Sequence, residues 1–315
     1  MKILYIYRDY KGRRKRYGKE MESLGHTVIY HYVDKNKRDG ISISKIKKHK
    51  PDVVWLLNPY YIRKNKVAIK YIRSQKIPIV MYGTLSTDTP FSDWMHIWDK
   101  IDLMFIHNKE CCDFLQGEGL KAYYMPIGFY PDMYHRSVKA PKYDATFCGN
   151  ISPKVDRKKD RRCIFIQALR EFKTKVYGQA FVGKLRGIPV ASYGTHKKEL
   201  NVYAKTRINL DLPFYYTCNK FYKDRSHIRN RFFEVPASGN FLLTLRCEES
   251  LAIYGEDTVG YYEDDPESLK EQVARYLKDD DLRKKMAKKA HKLVKSKHTF
   301  KHRFKEIFKI LKKEL

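Results

Sequence analysis

Acidic residues are scarce in this chain. Its 315 residues hold 36 Asp and Glu against 65 Lys and Arg, a net charge of +29 at pH 7 with His neutral. A field of that sign attracts polyanions: nucleic acid, an acidic membrane leaflet or phosphate-rich substrates. Paired cysteine motifs are missing too. The six cysteines (Cys111, Cys112, Cys148, Cys163, Cys218 and Cys247) form no C-x-x-C, and adjacent Cys111 and Cys112 do not bridge easily. Several sit in apolar runs, where a free thiol acts as a small hydrophobe. That points to a reducing compartment and away from structural zinc. No apolar run approaches the roughly 18 residues of a spanning helix. Met1 to Tyr7 is too short, and too soon followed by charge, for a signal peptide. The expected location is cytosolic, compatible with peripheral membrane contact. No short repeat suggests a solenoid.

What is present can fold. Hydrophobic residues make up 43% and aromatics 14%, enough to fill real cores, and 315 residues allow two domains of about 150 residues each. In the first half, strands over 2–7, 26–32, 52–58, 77–82, 103–107 and 122–127 alternate with helices over 18–24, 44–50, 64–74 and 109–116. Such alternation implies parallel βαβ units. A polar linker spans 131–141. The pattern then restarts with a strand over 143–149 ending in Gly149-Asn150. It continues with a basic helix over 157–172, a strand over 174–177, a helix over 197–206 and a strand over 208–212. After an edge strand at 260–262 come helices over 266–277 and 282–295, capped by Asp265 and Asp281, and a last amphipathic helix over 300–315.

The most informative stretch is Arg231-Phe-Phe-Glu-Val-Pro-Ala-Ser-Gly-Asn-Phe-Leu-Leu-Thr244. Glu234 to Ser238 suit one or two helical turns ended by Gly239, and Phe241 to Thr244 a buried parallel strand. A carboxylate beside such a loop can grip ribose hydroxyls. The stretch matches R-x-F-E-x-x-A-x-G-x-x-x-L, and so the chain resembles nucleotide-sugar glycosyltransferases of the GT-B fold. Asp144 to Asn150, Asn201 to Leu212, Tyr261 to Leu269 and His298-Thr-Phe-Lys-His-Arg303 resemble further elements of that family. The first half shares its architecture and Met125-Pro-Ile-Gly-Phe129. Among such enzymes it is most similar to family-4-like (group 1) members, the spore-maturation type in particular.

The resemblance implies an α/β, GT-B architecture: two Rossmann-like domains whose parallel sheets face each other across a cleft. The acceptor domain would be residues 1–138 and the donor domain 139–297, with 298–315 a helix returning toward the first. It implies that Glu234 binds the ribose hydroxyls. Many relatives carry a second glutamate eight residues earlier, where this chain has Ser226. Cations must stabilise a diphosphate leaving group when no metal does so. Arg231, and Lys154 and Arg157 beyond the Gly149-Asn150 turn, are the candidates. The acid runs Glu263-Asp-Asp265 and Asp279-Asp-Asp281 each precede a helix and read as caps, so no metal or other cofactor is expected.

A base for an inverting reaction would come from the first half. Asp88, past the fourth strand, is the leading candidate, with His96 and His107 behind it. The basic run after the first strand, with Lys11, Arg13, Arg14 and Arg16 beside Tyr10 and Tyr17, suits an anionic acceptor: a glycan, a lipid phosphate or DNA. The basic final helix, including Arg303, offers an alternative membrane contact. Surface polysaccharide or glycolipid synthesis leads. A DNA glycosyltransferase acting on hydroxylated bases and a non-catalytic nucleic-acid-binding protein on the same scaffold are the alternatives. The sequence leaves sugar, nucleotide, stereochemistry and oligomeric state open.

Overall fold

The computed structural model describes residues 1–7, 15–33, 40–57, 62, 65–83, 95–134, 139–151, 160–178, 183–192, 196–213 and 228–315. They form two compact units, Met1–Ile127 with Phe300–Leu315, and Gly128–Thr299.

The first unit is a parallel sheet of β1 (Lys2–Tyr7), β2 (Thr27–Tyr32), β3 (Val53–Leu56), β4 (Ile79–Gly83), β5 (Leu103–Ile106) and β6 (Ala122–Tyr124). Its order is β2-β1-β3-β4-β5-β6. The central strands β3, β4 and β5 are buried throughout, as continuous apolar runs covered on both faces should be. Helix Lys15–Ser23 stops just before Gly25, whose φ of +85° suits a residue without a Cβ. Helix Phe300–Glu314 belongs to this unit and packs Phe304 and Phe308 against Trp55, ring centroids 5.8 Å apart in each case.

The second unit contains β7 (Tyr143–Cys148), β8 (Thr174–Tyr177), β9 (Gly183–Leu185), β10 (Ile188–Ala191), β11 (Thr206–Leu210), β12 (Leu242–Leu245) and β13 (Gly260–Tyr262). The order is β13-β12-β11-β7-β8-β10-β9, parallel except for the β9–β10 pair. That hairpin escapes the sequence reading. Its strands are only three and four residues long and one contains Pro189, so period-2 alternation has no room to show. Its turn, Arg186-Gly187, has both φ angles positive, +46° and +91°, the twist a tight hairpin favours.

Several expected bounds shift for physical reasons. The helix placed over 157–172 covers only Arg161–Gln167 among the described residues, capped by Asp160. Helix Glu248–Tyr254 was not expected. The helix expected from residue 282 starts at Asp280, and its cap is Asp279, whose carboxylate accepts from the Leu282 amide at 2.8 Å, not Asp281. Asp265 does cap helix Pro266–Lys278, accepting from the Ser268 amide at 2.8 Å. The chain divides at Ile127 rather than at residue 138. Phe129 bridges Thr299, and Tyr134 bonds Glu234, so this part of the linker is tied into the second unit.

Candidate functional site

Glu234 rides on helix Asn230–Ala237, which starts four residues earlier than its sequence suggests and carries Pro236 inside it. Proline lacks the N–H that would reach the carbonyl four residues back. That carbonyl, on Phe232, instead accepts the Tyr254 hydroxyl at 2.5 Å. The helix therefore survives its proline and ends at Gly239, whose φ is +78°. Phe232 to Ala237 are all buried, and Glu234 is 5% exposed. Tyr134, 2% exposed, donates its phenolic hydroxyl to Glu234 Oε1.

Beside this helix the sheet ends in a turn whose glycine is crowded by side chains. Gly149 follows β7, and its amide donates to the Tyr177 carbonyl at 2.8 Å. A Cβ on Gly149 would lie 2.4 Å from Arg231 Nη2 and 2.5 Å from the Phe147 ring, and one on Gly178 would lie 2.8 Å from the Gly149 carbonyl oxygen. Side-chain crowding explains Gly149 and close backbone approach Gly178; neither needs a special φ.

Arg231 braces that turn. Its Nε donates to the Cys148 carbonyl at 2.7 Å and its Nη1 to Asp211 Oδ1 at 2.9 Å. Asp211 directly follows β11; its other carboxylate oxygen accepts from the Thr244 hydroxyl at 3.2 Å. Burial opposes the Arg231 charge, but Asp211 outweighs it and holds the guanidinium above its usual pKa. Arg162 supports the turn from the other side, donating from Nη1 to the Asn150 carbonyl at 2.8 Å. Both guanidiniums lie against the Phe147 ring, 4.6 Å from its centroid for Arg231 and 5.8 Å for Arg162. Burial first, then repulsion from Arg229 and Arg231, pulls the Arg162 pKa down to about 9, with Asp160 and Asp211 opposing. Burial also raises the Asp160 carboxyl. Two guanidiniums thus bracket the Gly149-Asn150 turn, with Asp211 and Asp160 beside them.

A second buried pair lies in the same electrostatic neighbourhood. The Tyr203 hydroxyl donates to Glu199 Oε1 at 3.0 Å on helix His196–Ala204. Burial, then Glu199, Cys148, Glu234 and Tyr134, lift the Tyr203 phenol well above its ordinary range. Burial and then Glu199 also push up the Cys148 thiol. A thiolate nucleophile there is disfavoured.

The structure thus brings together Glu234, Arg231, Gly149 and Asn150, with Gly239 ending the Glu234 helix. Arg16 sits half-buried in the first turn of helix Lys15–Ser23. Lys154, Arg157, Ser226, Asp88, Tyr10, Lys11, Arg13 and Arg14 lie outside the described residues, as does the side chain of His96, whose backbone forms part of the short helix Met95–Trp98. Tyr17, expected to stack on a ligand, spends its ring on Phe300 at 4.7 Å, Phe304 at 5.6 Å and Tyr82 at 5.8 Å. His107 is buried, and desolvation, then Arg303, lowers its pKa to about 3. At neutral pH it is uncharged and a weak base. Arg303 itself is buried, its Nε donating to the Ile127 carbonyl at 3.4 Å, so it offers no membrane contact.

The acid runs act structurally. Beyond the two caps, Asp264 pairs with Arg161, and Asp280 with Arg283 and Lys284. Among the described residues no cluster of three or more His, Cys, Asp or Glu could hold a metal, and no helix is long and apolar enough to cross a membrane. Arg162, Asp211, Glu199 and Tyr134 escaped the sequence reading. Only Asp211 left a signal, as a carboxylate inside the apolar run Ile208 to Leu212.

Comparison with known proteins bears on the fold and on the second half of the chain. Residues 158–309 match the family described as Glycosyl transferase-like. No curated protein sequence matches the chain. Among solved structures, sucrose-phosphate synthase from Thermosynechococcus elongatus superposes with a TM-score of 0.68 at 11% identity, covering 99% of this chain and 98% of that one. HepE from Anabaena, in complex with UDP and glucose, gives 0.67 at 10% identity over 99% and 100% of the two chains. The trehalose 6-phosphate synthase from Burkholderia multivorans gives 0.61 at 11% identity over 98% and 97%. Residues 158–309 thus resemble the glycosyl transferase-like family, and the two-sheet architecture throughout is that of the GT-B fold.

Proposed function

We propose that the protein moves a sugar from a nucleotide-sugar donor to an anionic acceptor, and that the nucleotide sits at the carboxyl ends of β7 and β11. The observation that carries this reading is the pair of guanidiniums, Arg231 and Arg162, on either side of the Gly149-Asn150 turn, beside the buried carboxylate of Glu234. A nucleoside diphosphate needs both: cations for its phosphates and a carboxylate acceptor for its ribose hydroxyls. In this scheme Glu234 accepts from the ribose. Arg231, held rigid by Asp211 and the Cys148 carbonyl, stabilises the departing diphosphate, with Arg162 adding charge behind the turn and Lys154 and Arg157 following it in sequence. Fixed cations do the work asked of a metal elsewhere, so the reaction is proposed to run without one. A uridine nucleotide is the first donor to try, because HepE was solved with UDP and glucose.

The acceptor is proposed to be anionic, a surface glycan or a glycolipid phosphate, on the strength of the +29 net charge. In an inverting reaction Asp88 or His96 would take the proton from its hydroxyl. A DNA acceptor is the second reading, and one observation favours it. Helix Asp280–Lys297 exposes Lys284, Lys285, Lys288, Lys289, Lys292, Lys295 and Lys297 but no large apolar side chain. Charge without an apolar wedge suits a phosphate backbone better than a membrane interior.

The test is thermal-shift binding against UDP-, GDP-, TDP-, ADP- and CMP-sugars, with Glu234→Ala alongside. One donor should raise the melting temperature of the wild type by mass action and leave the variant unmoved. Glycolipid phosphates and hydroxymethylated DNA are then offered as acceptors with that donor. A wild type that responds to no donor, with and without acceptor present, sinks the proposal.

A further inference from the structure

We propose that Tyr134 is a positioning residue for nucleotide recognition: its phenol sets the plane of the Glu234 carboxylate, and so the enzyme's preference for ribose over 2′-deoxyribose. This rests on the reading of Glu234 as the ribose ligand.

The two residues lie 100 positions apart, yet the phenolic hydroxyl of one donates to Oε1 of the other within a buried contact. Neither side of this bond is loose. Glu234 is held on a helix whose inner face is buried from Phe232 to Ala237. The Tyr134 ring meets Phe129 edge-on, centroids 6.2 Å apart, and the Phe129 backbone bridges Thr299. The phenol therefore reaches the carboxylate from a segment anchored separately from the helix.

Packing alone does not ask for a tyrosine here. A phenylalanine would fill the same volume without burying a hydroxyl that must find a partner. The hydroxyl has consequences for the carboxylate. Rotation about the last torsion of a glutamate is soft and roughly two-fold, so an unguided carboxylate samples many planes. A vicinal diol presents two hydroxyl donors whose directions are fixed by the sugar ring, and it can be gripped by both only when that plane is right. One phenol uses one of the roughly four acceptor positions of a carboxylate. It fixes the plane without exhausting the acceptor. A 2′-deoxy nucleotide offers a single hydroxyl and gains little from the alignment. Discrimination between the two sugars is therefore the property Tyr134 should control.

The experiment is isothermal titration of the full-length protein with UDP, GDP, ADP and CDP and with the 2′-deoxy form of each. Wild type, Tyr134→Phe and Glu234→Gln are compared. The wild type should prefer at least one ribonucleotide over its deoxy partner, and Glu234→Gln should erase that preference. Tyr134→Phe should reduce it about five- to tenfold by weakening the ribonucleotide alone, the size expected for one aligned hydrogen bond. If Tyr134→Phe keeps the full preference while Glu234→Gln loses it, the positioning role is wrong and the ribose site stands. If the wild type shows no preference in any pair, the Glu234 reading fails and takes this inference with it. Should Tyr134→Phe not fold, Glu234→Asp replaces it. That change draws the carboxylate one methylene back from the phenol, and undiminished discrimination would overturn the proposal equally.

Discussion

The two units end their parallel sheets in opposite ways. In the second, the carboxyl ends of β7 and β11 carry Arg231, Asp211, Arg162 and Glu234, all charged and hydrogen-bonded at or below the surface. In the first, the ends of β4 and β5 carry Tyr82 and His107, rings 4.6 Å apart and edge-on, with Phe304 5.7 Å from the same tyrosine. One end gathers charged side chains around a tight turn. The other packs aromatic rings around a histidine held neutral, with the buried Arg303 close enough to oppose its protonation. The same architecture thus offers two stages, and the residue types placed there give each its own chemistry.

Breaking the charged end should have the largest effect. Arg231→Ala leaves Asp211 buried without its cation, and should cost about 3–5 kcal/mol of stability in chemical denaturation of the second unit. A paired Arg231→Met, Asp211→Leu variant should recover much of that stability while still failing to bind donor. If the single variant unfolds no more easily than wild type, the brace is not what holds the turn.

The aromatic end is next, and it answers to pH. His107 has its folded pKa depressed from 6.5 to about 3 by burial, so below pH 6.5 the unfolded chain binds a proton that the folded one refuses. Its neutral state costs nothing above 6.5, and stability then falls as the solution is acidified toward 3. The slope for this one group is about 1.4 kcal/mol per pH unit. Urea titrations of wild type and His107→Leu across that window should show a shallower acid loss in the variant. Parallel curves would mean that His107 is accessible after all.

Smaller effects should sharpen the contrast between a crowded glycine in one unit and an open one in the other. Gly149→Ala must move the Arg231 guanidinium or the Phe147 ring, since its Cβ would come within 2.5 Å of both; overpacking of this kind costs about 1–3 kcal/mol. Donor affinity should drop with it, whereas Gly117→Ala in the first unit, where nothing lies within 4 Å of the added carbon, should leave it unchanged. Least of all, Tyr254→Phe orphans the Phe232 carbonyl beneath Pro236 and should lower the melting temperature by an amount matching about 1 kcal/mol. A neutral result there would show that the helix needs no substitute donor.

Much of this was legible in the sequence, for identifiable reasons. Continuous apolar runs such as Val53 to Leu56 and Leu242 to Leu245 have few choices but a doubly covered strand. Asp265 before Pro266 announces a helix start as clearly as any residue pair can. Glu234, Arg231 and the Gly149-Asn150 turn stood out because the segments that hold them resemble motifs of nucleotide-sugar glycosyltransferases. What stayed hidden depends on long-range partners. Nothing local marks Tyr134 as the donor to a carboxylate 100 residues on. Arg162 looks like one more basic residue on a helix until burial and Phe147 single it out. Tyr17 misled for the same reason: a ring beside a basic run could face a ligand or the core, and only packing decides.

Phe147 links two charges that could have been separate. Because Arg231 and Arg162 rest on the same ring and tie down carbonyls on either side of Gly149, a change at one shifts the surface on which the other lies. Their effects should therefore fail to add: a double-mutant cycle between them, run with Phe147 and again with Leu in its place, should lose its coupling when the ring is gone.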